Sequence, residues 1–192
     1  NLCYVTHFSQ LPPHAVVLAE NGVGQPQLVR VDVGLGVVYA LSTAEWFANN
    51  AITSTASCTA SEPARLFCNL MAVPLPVHSA PADTVRVLNV QRSRLGDATV
   101  TPGSGSLDDI ERTRPLRLKL SLHTNFGGAG APGPPMLLQH SAAALAAAQL
   151  AAYDALWIGT APDGTFSTSE LDAIEAFVDG GGVLFAICEH AS

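Results

Sequence analysis

The sequence predicts an α/β fold on a mainly parallel sheet, and three features near its end indicate this. Residues 153–159 form an apolar stretch typical of a buried strand, residues 167–179 show helical periodicity, and residues 183–187 are a second apolar stretch. Three consecutive glycines at 180–182 end the helix before that stretch. A strand, a helix and a strand in this order join two parallel strands, as in α/β proteins.

The helix in this unit has a marked start and two distinct faces. Ser167 and Glu170 fit a capping box, in which each side chain satisfies a free backbone N–H of the first turn. Four apolar residues recur at helical spacing and are expected to pack against the sheet: Leu171, Ile174, Phe177 and Val178. Three acidic residues are expected to face away from it: Asp172, Glu175 and Asp179.

The N-terminal part of the chain predicts two more strands, at residues 28–33 and 37–41, after an apolar run at 15–19 that ends in an Asn-Gly turn. The strand at 28–33 alternates between apolar and charged side chains, and the strand at 37–41 follows a Gly-x-Gly turn. A short helix is then expected to begin at Ser42 or Thr43 and to reach about Ile52.

Residues 53–115 form the middle of the chain, and the first part of this segment is rich in Ser and Pro. This composition predicts an excursion from the α/β domain. A short helix at 64–71 and a strand at 84–90 are expected within it. Residues 116–122 alternate without interruption, with four leucines on one face, and predict an edge or antiparallel strand. Residues 136–152 are rich in Ala, a strong helix former, and predict a helix.

The composition restricts the partners that the chain can have. Only 13 % of the 192 residues are charged, about half the usual ~25 %, so much neutral surface must be exposed. Such a surface favours a homo-oligomer or a part of a larger assembly, although a preference for Ala, Gly and Pro on the surface explains it equally well. The net charge of −7 and the lack of a basic run argue against nucleic acid, and no apolar run is long enough to span a membrane.

The four cysteines indicate an exported protein. Cys3, Cys58, Cys68 and Cys188 allow two disulfides, which form in secreted, periplasmic or surface proteins. The sequence begins at Asn1 rather than Met, which agrees with a processed or excised piece. None of the cysteines has the C-x-x-C spacing of a zinc site, and we predict neither a metal nor a cofactor.

Cys188 is the first candidate for chemistry. It follows the strand at 183–187, and a nucleophile at such a strand end is held clear of the sheet, beside backbone N–H groups that stabilise an oxyanion. Glu189 and His190 complete a polar triplet, so all three are candidate catalytic residues. The alternative is that Cys188 is a buried or disulfide-bonded cysteine.

The run Gly-Val-Leu-Phe-Ala-Ile-Cys-Glu-His at 182–190 resembles the nucleophile turn of the class I glutamine amidotransferase-like superfamily. That superfamily includes PfpI-like cysteine hydrolases and non-catalytic ThuA-like domains. The strand Tyr-Asp-Ala-Leu-Trp-Ile and the helix Leu-x-x-Ile-x-x-Phe-Val-x-x-Gly-Gly resemble it as well. The resemblance covers residues 153–192 and implies a three-layer domain with a mainly parallel, flavodoxin-like sheet.

Two features of the chain depart from that superfamily. Active members have a small residue, often Gly, soon after the cysteine, where this chain has Glu189, His190 and Ala191. The superfamily's catalytic histidine lies well downstream of the cysteine, so His190 does not correspond to that base.

Residues 29–52, which read as a strand, a Gly-x-Gly turn, a strand and a short helix, resemble the end of such domains. The resemblance implies that residues 1–52 supply the second half of the fold and precede the first half, which residues 116–192 supply. A circular permutation, or a chain cut inside a larger protein, would explain this order. The last predicted strand is then expected to share a sheet with the strands predicted at 28–33 and 37–41. Cys3 is expected to lie near Cys188.

Two pairs of residues are candidates for ligand binding. His123 and Asn125 follow one predicted strand, and Gly159 and Thr160 follow another, so these residues are expected to line the crevice beside Cys188. The alternative is that Asn125 only caps its own loop.

Residues 128–133 match the pattern G-x-G-x-x-G. Pro132, Pro134 and Pro135 disfavour the helix that must follow this pattern in a dinucleotide site, so a loop is the favoured interpretation.

These observations support two functions. The first is a non-catalytic domain of an exported or surface protein that binds a partner or associates with itself. The alternative is a cysteine-dependent hydrolase or amidotransferase with Cys188 as nucleophile and His7, His14 or His123 as its base.

Overall fold

The computed structural model describes residues 7–47, 52, 62–72, 84–95, 105–122, 125, 136–159 and 166–188. The strands are β1 (Val16–Glu20), β2 (Pro26–Val33), β3 (Gly36–Leu41), β4 (Val85–Val90), β5 (Met136–Ser141), β6 (Ala155–Ile158) and β7 (Val183–Ile187). The helices are α1 (Glu62–Ala72), α2 (Ile110–Leu120), α3 (Ala147–Leu150) and α4 (Thr168–Asp179), with one 3-10 turn at Ala44–Trp46. No helix within these ranges combines the length and apolar character needed to cross a membrane.

The seven strands form one mixed sheet in the order β1-β2-β3-β7-β6-β4-β5. The two pairs at the N-terminal end, β1 with β2 and β2 with β3, are antiparallel. The other four pairs are parallel. The predicted α/β fold on a mainly parallel sheet is therefore confirmed.

The N-terminal strands join the C-terminal unit through β3 and β7, which pair in parallel from Val37 opposite Val183 to Leu41 opposite Ile187. The prediction that the last strand shares a sheet with the strands at 28–33 and 37–41 is confirmed. The strand predicted at 84–90 is also present, as β4. It lies between β5 and β6, so this part of the segment 53–115 is an interior strand of the sheet.

One face of the sheet carries an aromatic core. The ring of Phe185 on β7 stacks on Tyr39 and on Trp157, with centroid distances of 5.3 and 5.2 Å. Phe47 packs edge-on against both Trp157 and Phe67, and Phe67 is a residue of α1, which therefore covers this face. Leucines of α2 complete the same core.

The other face of the sheet carries a second, aliphatic core. Residues of β4, β6, α3 and α4 form it: Leu88, Val90, Leu150, Leu156, Ala173, Ile174, Phe177 and Val178. Both faces of the parallel strands are therefore covered, which is why β6 and β7 are apolar at every position rather than alternating.

Two glycines allow β3 to approach the end of α4. A Cβ on Gly36 would lie 2.2 Å from the carbonyl oxygen of Val178, and a Cβ on Gly182 would lie 2.4 Å from the Phe177 ring. No side chain fits at either position without moving the backbone or the ring. The Gly-x-Gly turn and the glycine triplet seen in the sequence therefore meet each other in space.

The strand predicted at 116–122 is wrong, because residues 110–120 form α2. The leucine alternation has the period of a strand, but burial follows the helical period, so the leucines lie on two faces of α2. Thr113, Leu116 and Leu120 are buried, whereas Leu118 is exposed. Asp109 accepts a hydrogen bond from the backbone N–H of Arg112 and so marks the start of the helix.

The single helix predicted at 136–152 is also wrong. Residues 136–141 form β5, which pairs with β4 over six residues, and only Ala147–Leu150 are helical. The alanines do favour a helix, but the pairing of β5 with a buried neighbour outweighs this local propensity.

The predicted start of α4 is confirmed. The Ser167 hydroxyl accepts a hydrogen bond from the Glu170 backbone N–H, and the Glu170 carboxylate accepts one from the Ser167 backbone N–H. Of the four apolar residues expected to be buried, Ile174, Phe177 and Val178 are, but Leu171 is 53 % exposed. Ala173 takes the place of Leu171 at the sheet.

Two shorter helix predictions fall near described residues. The helix expected at 64–71 is present as α1. For the helix expected to reach Ile52, the structure describes only the 3-10 turn at Ala44–Trp46, and residues 48–51 lie outside the described ranges.

Replacing Phe177 with Ala should lower the free energy of unfolding by roughly 3–5 kcal/mol, because the ring is 7 % exposed and fills the second core. Leu171→Ala on the same helix is the matched control and should cost less than about 1 kcal/mol, since the side chain faces solvent. Urea unfolding followed by circular dichroism measures both changes. Equal losses would contradict the assigned helix face.

Candidate functional site

The parallel strands end together at one edge of the sheet, which is where α/β proteins place their sites. At these ends Ser42 follows β3, Gln91 follows β4, Gly159 follows β6 and Cys188 follows β7, and Ser141 is the last residue of β5. Gly159 is buried between neighbours at the centre of this edge, and Cys188 lies one strand further along. The structure therefore brings Gly159 and Cys188 to the same edge, as predicted from their positions after strands.

Cys188 is held by the continuation of the β3–β7 pair. Its backbone N–H donates to the carbonyl oxygen of Leu41 at 2.7 Å. The residue is exposed and its thiol is free, so it takes part in no disulfide here. Desolvation of the sulfur raises the pKa of the Cys188 thiol above its ordinary value. A cysteine nucleophile needs the opposite, because the thiolate is the reactive form.

The histidines that the structure describes are all tied to other strands. His7 Nε2 lies 3.4 Å from Gln25 Nε2, just before β2. Strand β2 is two strand spacings, or roughly 10 Å, from β7. His14 is exposed in the turn before β1, and His140 lies on β5, so each is three strands from β7. The Cys188 thiol donates a long hydrogen bond to the Ala186 carbonyl oxygen, at 3.9 Å.

Several predicted site residues are not placed with Cys188. Glu189, His190, His123 and Thr160 lie outside the described residues. Asn125 follows α2, where its side-chain amide donates to the Lys119 carbonyl oxygen at 2.9 Å.

Asn125 is far from the strand ends because α2 runs between them. The helix begins beside the end of β4, since Ser106, just before it, donates to the Val90 carbonyl oxygen at 2.7 Å. Its 11 residues then extend about 16 Å away from this edge. Asn125 therefore caps the far end of α2, which agrees with the capping alternative, and the structure does not bring it together with Gly159.

Of the remaining cysteines, only Cys68 is described. It is buried on α1 and is not a free thiol. Cys3 and Cys58 lie outside the described residues, so the pairing of Cys68 remains a prediction.

A polar network that sequence reasoning missed closes the edge on the aromatic face. Asn89 is a fully buried amide on β4, and its side-chain oxygen accepts from the Leu107 backbone N–H at 2.8 Å. Its amide nitrogen donates to Ser106 Oγ and to His140 Nδ1, both at 3.0 Å. The Trp157 indole N–H donates to the Gly105 carbonyl oxygen at 2.8 Å. The segment before α2 is thereby fixed across the ends of β4 and β6.

Asn89 could have been noticed in the sequence, because it is the single amide in an otherwise apolar strand end. A buried amide needs partners, and this need predicts a polar segment packed on that strand end. Nothing local indicates that residues 105–107 supply it.

A second network closes the edge on the other face, around the Glu170 carboxylate. Arg94, which follows β4, forms a salt bridge with Glu170 and stacks over the Phe166 ring at 5.6 Å. The same carboxylate accepts from the backbone N–H groups of Leu145 at 3.0 Å and Ser167 at 2.9 Å. The Arg94 guanidinium, followed by these hydrogen bonds, lowers the pKa of Glu170 to about 2.

The capping box predicted Glu170 as a helix-start residue but not its wider role. The carboxylate holds together the loop after β4, the loop after β5 and the start of α4. Protein groups therefore occupy the end of β4 on both faces of the sheet.

Searches against protein-family models, curated proteins and solved structures find no match to this chain. Among the residues that the structure describes, no group of three or more His, Cys, Asp or Glu side chains could hold a metal ion.

Replacing Glu170 with Gln should lower the free energy of unfolding at pH 7 by roughly 2–4 kcal/mol. This is slightly below the ~3–5 kcal/mol of a fully buried pair, because the Arg94 side chain is 21 % exposed. Glu175→Gln, on the exposed face of the same helix, is the control and should change it by less than about 0.5 kcal/mol.

The same pair predicts a pH dependence. A carboxyl whose folded-state pKa is lowered from 4.5 to about 2 stabilises the fold above its unfolded pKa, and this stabilisation is lost as the pH falls through that interval. Denaturant unfolding from pH 6 to pH 2 should show this loss in the wild-type protein and less of it in Glu170→Gln. Parallel curves for the two proteins would contradict the assignment.

Proposed function

We propose that this chain is a non-catalytic domain of an exported or surface protein, which acts by associating with itself or with a protein partner. We further propose that it has a three-layer, flavodoxin-like fold in permuted order, related to the class I glutamine amidotransferase-like superfamily. The observation that carries the proposed activity is the apolar edge strand β1. The strand order and the surroundings of Cys188 support the remaining parts.

The strand order supports a permuted flavodoxin-like fold. If the parallel strands are renumbered along the chain from β4, then β4 is strand 1, β5 is strand 2, β6 is strand 3 and β7 is strand 4. Across the sheet they lie in the order 2-1-3-4, and β3 occupies the fifth place. The flavodoxin-like order is 2-1-3-4-5. Here the strand in the fifth place comes first in the sequence, as a permutation requires. Helices α1 and α2 contribute to one core and α3 and α4 to the other, which supports three layers.

The surroundings of Cys188 support a non-catalytic role. The described residues place no imidazole at the thiol, and the pKa of that thiol is raised rather than lowered. The Asn89 and Glu170 networks also fill the strand ends where a substrate would enter. An exported location is supported by Cys68, which is not a free thiol.

Strand β1 supports association. Val16 and Val17 are both exposed, although consecutive residues of a strand point to opposite faces of the sheet, and Leu18, at a register shift in the β1–β2 pair, is exposed as well. Both faces of β1 are therefore apolar and open to solvent, and the strand lies at the edge of the sheet. An exposed apolar edge strand is a template for pairing with another chain. A second copy of β1 would meet it with no charged side chain before Glu20.

Sedimentation at micromolar concentration should therefore show a species larger than the 19.9 kDa monomer. Val17→Lys should weaken this association at least about tenfold. Burying a lysine at the contact is costly, and the lysines of two copies related by a two-fold axis would repel each other. Val23→Lys is the matched control: it changes a more exposed valine, 79 % against 36 %, in the turn after β1 and should leave association unchanged. A single 19.9 kDa species for the wild-type protein would contradict self-association.

The alternative, a cysteine-dependent hydrolase or amidotransferase, is favoured by one observation: Cys188 is a free, exposed thiol directly after a parallel strand. The two functions predict different thiol reactivity. A non-catalytic Cys188 should react with iodoacetamide at pH 7 no faster than an unstructured cysteine peptide, since its pKa is raised, and faster as the pH rises. The labelled site is identified by mass spectrometry, with Cys188→Ser as control. Rapid modification of Cys188 alone at pH 7 would favour the enzyme.

A further inference from the structure

A cavity of about 930 Å³ lies between α2 and the edge strand β5 and runs along β5 from Met136 to His140. Its walls have two kinds of side chain. Arg114 and Arg117 from α2 supply positive charge and His140 from β5 supplies a ring nitrogen, while Leu118, Met136 and Leu138 are apolar. No part of the proposed function uses this cavity.

The charge on this wall is concentrated against the trend of the chain. The chain has a net charge of −7 and only nine Lys and Arg residues, yet four of them are on the 11 residues of α2: Arg112, Arg114, Arg117 and Lys119. Arg114 and Arg117 are three positions apart, so both lie on one face of the helix. Neither forms a salt bridge with another residue that the structure describes.

The hydrogen bonds of Asn89 fix the state of His140. Because the Asn89 side-chain oxygen accepts from a backbone N–H, the other amide atom is the nitrogen, which is a donor. That nitrogen lies 3.0 Å from His140 Nδ1, so Nδ1 must accept and the neutral ring carries its proton on Nε2. Burial, followed by the charge of Arg117, lowers the pKa of His140, which keeps the ring neutral near pH 7. His140 therefore offers an N–H donor in addition to the two guanidinium groups.

The spacing of residues on β5 separates polar from apolar groups on that wall of the cavity. Met136, Leu138 and His140 alternate with outward residues and so lie on one face of the strand. On this wall, a ligand that lies along β5 would meet the imidazole at one end and the apolar side chains of Leu138 and Met136 beyond it.

We propose that this cavity binds a small amphipathic anion, in which an oxyanion pairs with Arg114 and Arg117 and an alkyl or aryl body packs on Met136 and Leu138. Planar guanidinium groups suit either a carboxylate or a phosphate monoester, since both offer two oxygens to a fork of N–H donors. This binding is independent of self-association and of any chemistry at Cys188.

Isothermal titration calorimetry of the full chain with four probes tests the inference. Decanoate and decyl phosphate should bind, and the tighter of the two identifies the preferred oxyanion. Decanol, which lacks the charge, and inorganic phosphate, which lacks the apolar body, should each bind at least about tenfold more weakly. Equal binding of decanol or of inorganic phosphate, or no binding of either anion, would overturn the proposal.

Matched variants then assign the binding to this cavity. Arg117→Gln and Arg114→Gln should each weaken decanoate binding about tenfold, as expected for loss of a charge-assisted contact. Arg112→Gln removes the same charge from the same helix but does not line the cavity, and should change the affinity less than about twofold. Arg114 is exposed, so its variant keeps the fold, which thermal unfolding verifies. Equal losses in all three variants would overturn the assignment to the cavity.

Discussion

The parallel pairing of β3 with β7 is the contact on which the rest of the structure depends. Five residue pairs, from Val37 opposite Val183 to Leu41 opposite Ile187, join the N-terminal antiparallel strands to the C-terminal unit. Without β3, the apolar strand β7 would be a sheet edge with its backbone groups unpaired, which natural sheets avoid. The close approach of Gly36 to the end of α4 allows β3 and β7 to begin at the same height in the sheet. The stacked rings of Tyr39 and Phe185 fill the core on one face of this pair.

This pairing also determines what can happen at the strand ends. It places Cys188 beside the end of β3 and away from every imidazole that the structure describes. Two buried polar groups fix segments at the strand ends, one on each face: Asn89 fixes the segment before α2, and Glu170 fixes the start of α4. Among the described residues, two further surfaces lie at the two edges of the sheet: the apolar strand β1 at one edge and the cavity beside β5 at the other.

Sequence patterns predicted the elements whose signal is local. The capping box of α4, the Asn-Gly turn after β1 and the continuous apolar run of β7 each determine their own structure, and they are present as expected. The continuous apolar run of β7 also predicted that β7 shares a sheet with β2 and β3, although not that β3 is its direct neighbour. The leucine alternation at 116–122 has the period of a strand, and only packing shows that Leu116 and Leu120 lie on the buried face of a helix. The start of the Ala-rich stretch became a strand because β4 offers it a partner 51 residues away in the chain.

The candidate site was less predictable, because its groups act over long separations. Glu170 was identifiable as a cap, but its partner Arg94 is 76 residues away, and no local pattern connects the two. Asn125 was expected at a strand end and caps a helix instead, since the element before it was misassigned. The cavity beside β5 was also not foreseen, because both of its walls, α2 and β5, were predicted as the opposite type of element.

The most direct test of the shared sheet is a nuclear Overhauser measurement between the ring protons of Tyr39 and Phe185 in the full chain. Their ring centroids are 5.3 Å apart across the β3–β7 pair, and those of Phe185 and Trp157 are 5.2 Å apart, so clear cross-peaks are expected within both pairs of rings. Cross-peaks from Phe185 to Trp157 but none to Tyr39, with all three rings assigned, would show that the N-terminal strands form a separate sheet and would contradict the pairing of β3 with β7.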